Sequence, residues 1–236
     1  MLSVNNNSVY YTAPNDNRAD AIAFAYVFAD PNGQGTNLQF EGNQVRNATG
    51  IGLGIHLLSE ITVNAQNEVD GLSFVTNLSV SNNQLHRGSD ANAWSGGDPT
   101  NQPSNFNLCL LGISLDNFHF CQNTSECQAS NSSVRNLAFS TSYGGVATDF
   151  AANQYKSFNF ILQGNVPRSG SNTKTIEAQW GQFAGASVTA NAKPNNILIS
   201  SNYYTVANTT ASNEWDGGTN WFTAATNDIN VTTKGL

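Results

Sequence analysis

The chain has 236 residues, a formal net charge of −7 and only 11% charged residues, against about 25% in an ordinary globular protein. With no basic run it offers no surface that could track phosphates, which argues against nucleic acid as a partner. No stretch approaches the roughly 20 apolar residues that cross a bilayer, which argues against membrane insertion.

The opening residues Met1 to Asn7 have neither a basic nor an apolar region and do not read as a signal peptide. Ile22, Phe24, Tyr26 and Phe28 then alternate with smaller residues, the period-two pattern of a half-buried strand. Residues 16–30 are Ala-rich enough to suggest a helix. Their later counterpart, Gly144-Gly145-Val146-Ala147-Thr148, is a poor helix former, which favours strand. A turn at Asp30-Pro31-Asn32-Gly33 precedes a second alternating run, Ile51, Leu53, Ile55 and Leu57. Residues 55–69 stay open between helix and strand. Gly96-Gly97-Asp98-Pro99 marks another turn, and Phe158, Phe160, Leu162, then Ile229 and Val231, repeat the alternation. About a dozen short strands separated by turns predict an all-β protein built of small antiparallel β-sandwich or jelly-roll-like modules.

Five short blocks recur in order at offsets of 120 to 127 residues. Asn6-x-Ser8-Val9 matches Asn131-x-Ser133-Val134. Leu38-x-Phe40-x-Gly42-Asn43, preceded by Phe28-Ala29, matches Phe160-x-Leu162-x-Gly164-Asn165, preceded by Phe150-Ala151. Ile61-Thr62-x-Asn64-Ala65 matches Val188-Thr189-x-Asn191-Ala192, and Leu78-x-x-Ser81-Asn82 matches Leu198-x-x-Ser201-Asn202. The last pair joins Asn92-Ala93-Trp94-Ser95-Gly96-Gly97-Asp98-Pro99-Thr100-Asn101 to Asn213-Glu214-Trp215-Asp216-Gly217-Gly218-Thr219-Asn220. The pattern predicts a tandem duplication: a first module over 1–120, a junction over 121–130 and a second module over 131–236.

The repeated Trp motif is the one with chemical interest. Trp94 and Trp215 could stack on sugar rings while Asn101 and Asn220 bond hydroxyls. The plainer reading, a Trp plugging the end of each module above a Gly turn, is favoured.

Three cysteines, Cys109, Cys121 and Cys127, lie near the predicted junction. An odd count allows one disulfide, and Cys121 with Cys127 would close a small loop, as Cys109 with Cys121 also could. Adding His119 gives a Cys3His set without the usual short Cys-x-x-Cys spacing, so no metal site is assigned. Asp90, Asn92 and Asp98 lack calcium-loop spacing and read as a solvated loop. Glu177 and Glu214 could be nominated as paired carboxylates, yet nothing selects them over the other acids. Seven Asn-x-Ser/Thr sequons, at Asn6, Asn47, Asn77, Asn123, Asn131, Asn208 and Asn230, suit an extracellular protein but arise easily in so Asn-rich a chain.

These observations point away from an enzyme and imply no cofactor. Amides and hydroxyls cost less to desolvate than charges, so a charge-poor surface can pack against copies of itself. The expectation is a structural subunit that self-assembles, as a virion component (capsid or tube) or an extracellular filament. Its partners would be its own copies, joined through strand segments such as Leu2 to Thr12 and Ile229 to Thr233. The alternative is a tandem carbohydrate-binding module or adhesin whose partners are glycans. Either reading places the protein in a virion or on an extracellular surface.

Overall fold

A computed structural model describes residues 1–10, 22–28, 34–46, 51–59, 62–63, 69–70, 73–87, 104–111, 113–127, 135–140, 142–143, 146–147, 159–169, 174–179, 196–202, 205–206 and 229–232. The chain winds through three parallel sheets in strict sequence. The first coil is β1 (Leu2–Asn5), β2 (Ser8–Tyr10) and β3 (Ile22–Phe28). The second has β4 (Gln34–Gly35) and β5 (Leu38–Glu41), then β6 (Gln44–Arg46) and β7 (Ile51–Ser59). A small antiparallel pair, β8 (Thr62–Val63) with β9 (Val69–Asp70), precedes the third coil, β10 (Ser73–Ser81), β11 (Gln84–Arg87) and β12 (Ser104–Leu111). The fourth coil is β13 (Ile113–Cys121), β14 (Thr124–Cys127) and β15 (Arg135–Ser140). Another antiparallel pair follows, β16 (Ser142–Tyr143) with β17 (Val146–Ala147). Next come β18 (Asn159–Gln163), β19 (Val166–Ser169) and β20 (Lys174–Gln179), then β21 (Asn196–Ser200), β22 (Thr205–Val206) and β23 (Ile229–Thr232).

Sheet A stacks β1-β5-β10-β13-β18-β21-β23, with β4 also pairing β10; sheet B stacks β2-β6-β11-β14-β19-β22; and sheet C stacks β3-β7-β12-β15-β20. Each of the first five turns of the chain adds one rung to each sheet. This is a β-solenoid, in which every coil rests on its neighbours.

The expected antiparallel sandwich or jelly roll is therefore wrong, although the all-β expectation holds. The reason lies in the alternation itself. Parallel sheets usually carry helices on both faces and read as continuous apolar runs. Here one face of sheets A and B lines the core and the other faces water, so parallel strands alternate as antiparallel ones do. Along β5, Leu38 and Phe40 are buried while Gln39 and Glu41 are only partly covered.

The recurring blocks can be placed on the same topology. Leu38-x-Phe40-x-Gly42-Asn43 and Phe160-x-Leu162-x-Gly164-Asn165 occupy equivalent positions in the second and fifth coils. Their offset is three coils. The intervening coils carry the same pattern in Leu78-x-Val80-x-Asn82-Asn83 and Phe118-x-Phe120-x-Gln122-Asn123. The match of Leu78 to Leu198 is one residue out of register, because Leu198 pairs with Ile161 whereas Leu78 pairs with Phe118. Such a slip exchanges the two faces of a strand: Leu78 is buried and Leu198 is only half-buried. The segment 121–130 carries β14, hydrogen-bonded to β11 on one side and β19 on the other.

The core runs along the solenoid axis. Leu38, Phe40, Leu78, Val80, Phe118, Phe120, Phe160 and Leu162 enter from sheet A, meeting Leu53, Ile55, Phe106, Leu108, Leu137 and Phe139 from sheet C. Its rings interlock: Phe118 stacks on Phe160 at 5.3 Å, while Phe139 meets Phe160 edge-on at 5.2 Å. Burial of each such side chain stabilises the fold by about 1.5–3 kcal/mol. Sheet C reads differently along β12, where Asn105, Asn107 and Cys109 are buried as completely as Phe106, Leu108 and Leu110. Gly52 of β7 lies against that strand. A Cβ there would sit 2.7 Å from the Asn105 carbonyl oxygen, so no side chain fits.

Candidate functional site

The corner between sheets A and B is the most regular feature of the molecule. It consists of two residues in each of the first six coils. The first adopts a left-handed backbone: Asn6, Gly42, Asn82, Gln122, Gly164 and Ser201 have φ between 56° and 68°. Asparagine and glycine tolerate this conformation best. At position 42 glycine also leaves room for the Asn6 side-chain oxygen, which would have to shift to admit a Cβ.

The second residue is always Asn: Asn7, Asn43, Asn83, Asn123, Asn165 and Asn202. These amides form one continuous ladder. The Asn123 backbone N–H and Nδ2 donate to Asn165 Oδ1 at 2.9 and 3.2 Å, and Nδ2 also donates to the Val80 carbonyl at 2.9 Å. In turn Asn123 Oδ1 accepts from the Asn83 N–H and Nδ2 at 3.0 and 2.9 Å. The same set recurs from Asn43 to Asn83 and from Asn165 to Asn202. A buried amide unpaired would cost free energy; here both N–H bonds and the oxygen are satisfied by the adjoining coils. Asn123, one of the seven sequons, is 1% exposed, so its amide is closed to glycan attachment in the folded protein.

A shorter interior ladder crosses the corner between sheets B and C. Asn105 Nδ2 donates to Asn136 Oδ1 and to the Glu126 carbonyl, both at 2.9 Å. Nearby, the Arg87 guanidinium is 1% exposed and donates through Nη2 to the Ser104 carbonyl at 3.4 Å.

The outer faces carry the surface chemistry. On sheet A, Asn77 Nδ2 donates to Asn37 Oδ1 at 2.8 Å, Asn117 to Asn77 at 3.2 Å and Asn159 to Asn117 at 2.8 Å. A neighbouring file, in register, reads Asn5, Glu41, Ser81, Cys121, Gln163 and Ser200. Sheet B presents a different file: Tyr10, Arg46, His86, Glu126, Arg168 and Thr205. Successive members stand about 4.7–4.9 Å apart along the axis. Beside it runs Ser8, Gln44, Gln84, Thr124 and Val166. In a chain with so few charges, four successive rungs bearing ionisable groups are a concentration. Sequence reading missed it because the four residues lie about 40 positions apart, and only the register gathers them.

Trp94, Asn101, Trp215 and Asn220 lie outside the described residues, as do Glu214, Asp90, Asn92 and Asp98. The segment holding Trp94 follows Arg87 of β11, and that holding Trp215 follows Val206 of β22. Arg87 and Val206 belong to one file of sheet B, linked in register through Cys127 and Ser169. Glu177 lies in β20 opposite Ala138.

Cys109, Cys121 and Cys127 are thiols on three different sheets, with no disulfide between Cys121 and Cys127. Burial pushes the Cys121 thiol above its ordinary pKa, partly offset by a backbone hydrogen bond from Gln163. A protonated thiol is a poor nucleophile. Among the described residues no three His, Cys, Asp or Glu side chains gather as metal ligands, and no helix is long and apolar enough to cross a membrane.

The chain matches no protein-family model, no curated protein and no solved structure. The virion and capsid expectation was stated alongside an expected jelly-roll module. With three parallel sheets in its place and no relative of that kind, it is withdrawn.

Proposed function

We propose that this protein is a non-enzymatic structural element of an extracellular filament or surface fibre, which associates with copies of itself. The observation that carries the reading is the repeated corner. Each coil offers its neighbour the same backbone edge and the same amide donors and acceptors, so one coil's binding surface is a template for the next. Solenoids gain stability by adding equivalent layers. In-register stacking of parallel strands with amide ladders is also the geometry by which separate chains stack. The charge-poor surface suits this role, since it sets few like charges against one another when copies meet.

Negative-stain electron microscopy, with light scattering across protein and salt concentration, tests the proposal. Rods or fibres that persist at high salt are the expected result, because hydrogen-bonded and apolar contacts are weakly screened. A monodisperse monomer of 25.2 kDa under every condition would defeat it.

A further inference from the structure

We infer that the outer file of sheet B at Tyr10, Arg46 and His86 binds a carboxylated oligosaccharide. The site uses the outward face of sheet B, whereas self-association would use the strand edges of the end coils; Tyr10 lies in the end strand β2, but the site does not depend on that proposal. Tyr10 is 64% exposed, and apart from Met1 it is the only large hydrophobic side chain so exposed among the described residues. Arg46, also exposed, is its partner in register on the next rung, and half-buried His86 follows on the rung after. Exposed Gln44 and Gln84 lie two residues before Arg46 and His86 on the same strands, and so on the same face.

The chemistry of this patch is selective. A phenol ring offers a flat apolar face with a polar rim, suited to the face of a sugar ring. The guanidinium fork matches the two oxygens of a carboxylate, which an ammonium cannot do as well. Side-chain amides both donate to and accept from hydroxyls. Among the described residues the face is a flat sheet, which an extended chain lying along the axis fits better than an enclosed small molecule does. Charge sets the limits of the site. The net charge of −7 repels anions at long range, and Glu126 on the next rung after His86 repels them locally. The acidic group must therefore sit at the Tyr10–Arg46 end. Arg168 stands three rungs from Arg46, about 14 Å away, beyond Glu126.

Calorimetric titration tests this with two probes: a hexasaccharide alternating glucuronate with N-acetylglucosamine, and a neutral N-acetylglucosamine hexamer. The acidic probe is expected to bind and the neutral one to bind at least about tenfold more weakly. Arg46→Gln should weaken the acidic probe by about tenfold or more, and Arg46→Lys by less. Tyr10→Ala should cost about fivefold and Tyr10→Phe much less. Arg168→Gln, also an exposed site, should leave binding unchanged. Thermal unfolding confirms that each variant is folded. Equal affinity for both probes, no binding of the acidic probe at millimolar concentration, or an equal loss in Arg168→Gln would overturn the assignment.

Discussion

The two asparagine ladders on the first corner and first sheet use one chemistry in two environments. Asn43, Asn83, Asn123 and Asn165 point inward and are buried, each amide bonded to both adjoining coils. Asn37 and Asn77 of the outer ladder are exposed, and Asn117 and Asn159 half-buried, although their side chains bond to one another at similar distances. A hydrogen-bond distance therefore says little about its contribution. What decides it is whether water can replace the partner: outside it can, whereas inside a lost partner leaves buried groups unsatisfied.

The sharpest break of this comparison is Asn123→Ala. It strands the Asn83 N–H and one of the two Asn83 Nδ2 protons, the other still donating to the Phe40 carbonyl, and it removes the donor to the Val80 carbonyl. At about 1–3 kcal/mol for each stranded group, a loss of about 3 kcal/mol or more is expected in urea unfolding. A loss under about 1 kcal/mol would show that water enters the corner and that the ladder is not dry. Next in size, Gly42→Ala should destabilise by about 1–2 kcal/mol, because φ of 68° is strained for alanine and the added Cβ meets Asn6. Asn82→Gly at the equivalent position should change stability by under about 0.5 kcal/mol, since asparagine already tolerates the left-handed region. A large cost there would mean that the Asn82 side chain, which donates to Glu41 Oε1 at 3.2 Å, matters more than its backbone.

On the outer ladder, Asn117→Ala should cost no more than about 1 kcal/mol. If it matched Asn123→Ala in the same urea series, the contrast between buried and exposed amides would fail. The smallest effect expected concerns Cys121, in the outer file beside Ser81 and Gln163. Its raised pKa leaves it protonated near neutrality, so alkylation read by mass spectrometry should be slow in the native protein and fast in urea. The sign for stability follows. Above the ordinary thiol value the unfolded chain loses this proton before the folded one, so Cys121 makes the fold slightly less stable as pH rises further.

Much of the local structure was legible. The alternation at Ile51, Leu53, Ile55 and Leu57, and again at Phe160 and Leu162, correctly marked strands whose apolar residues are buried. The block ending in Gly42-Asn43 did recur at Gly164-Asn165, but as one of a series. The coils between escaped notice because the left-handed position accepts Gly, Asn, Gln or Ser, so Asn82-Asn83 and Gln122-Asn123 do not resemble Gly-Asn as letters. Their likeness is conformational. Strand direction was not legible at all, since a two-residue period is the same for a parallel and an antiparallel neighbour. The sheet-B site was hidden for a related reason: Tyr10, Arg46 and His86 belong to three separate strands with no shared motif.

By itself the sequence determined an all-β chain, a charge-poor amide surface and the residues that leave water, because those follow from composition and from periods shorter than a strand. Only the tertiary structure decided that the strands run parallel, that an offset of about 120 residues is three coils, and which asparagines are buried. Those outcomes depend on which strand lies beside which. Pairing between residues about 40 positions apart is set by the stacking of whole coils, a property that no local stretch of the chain contains.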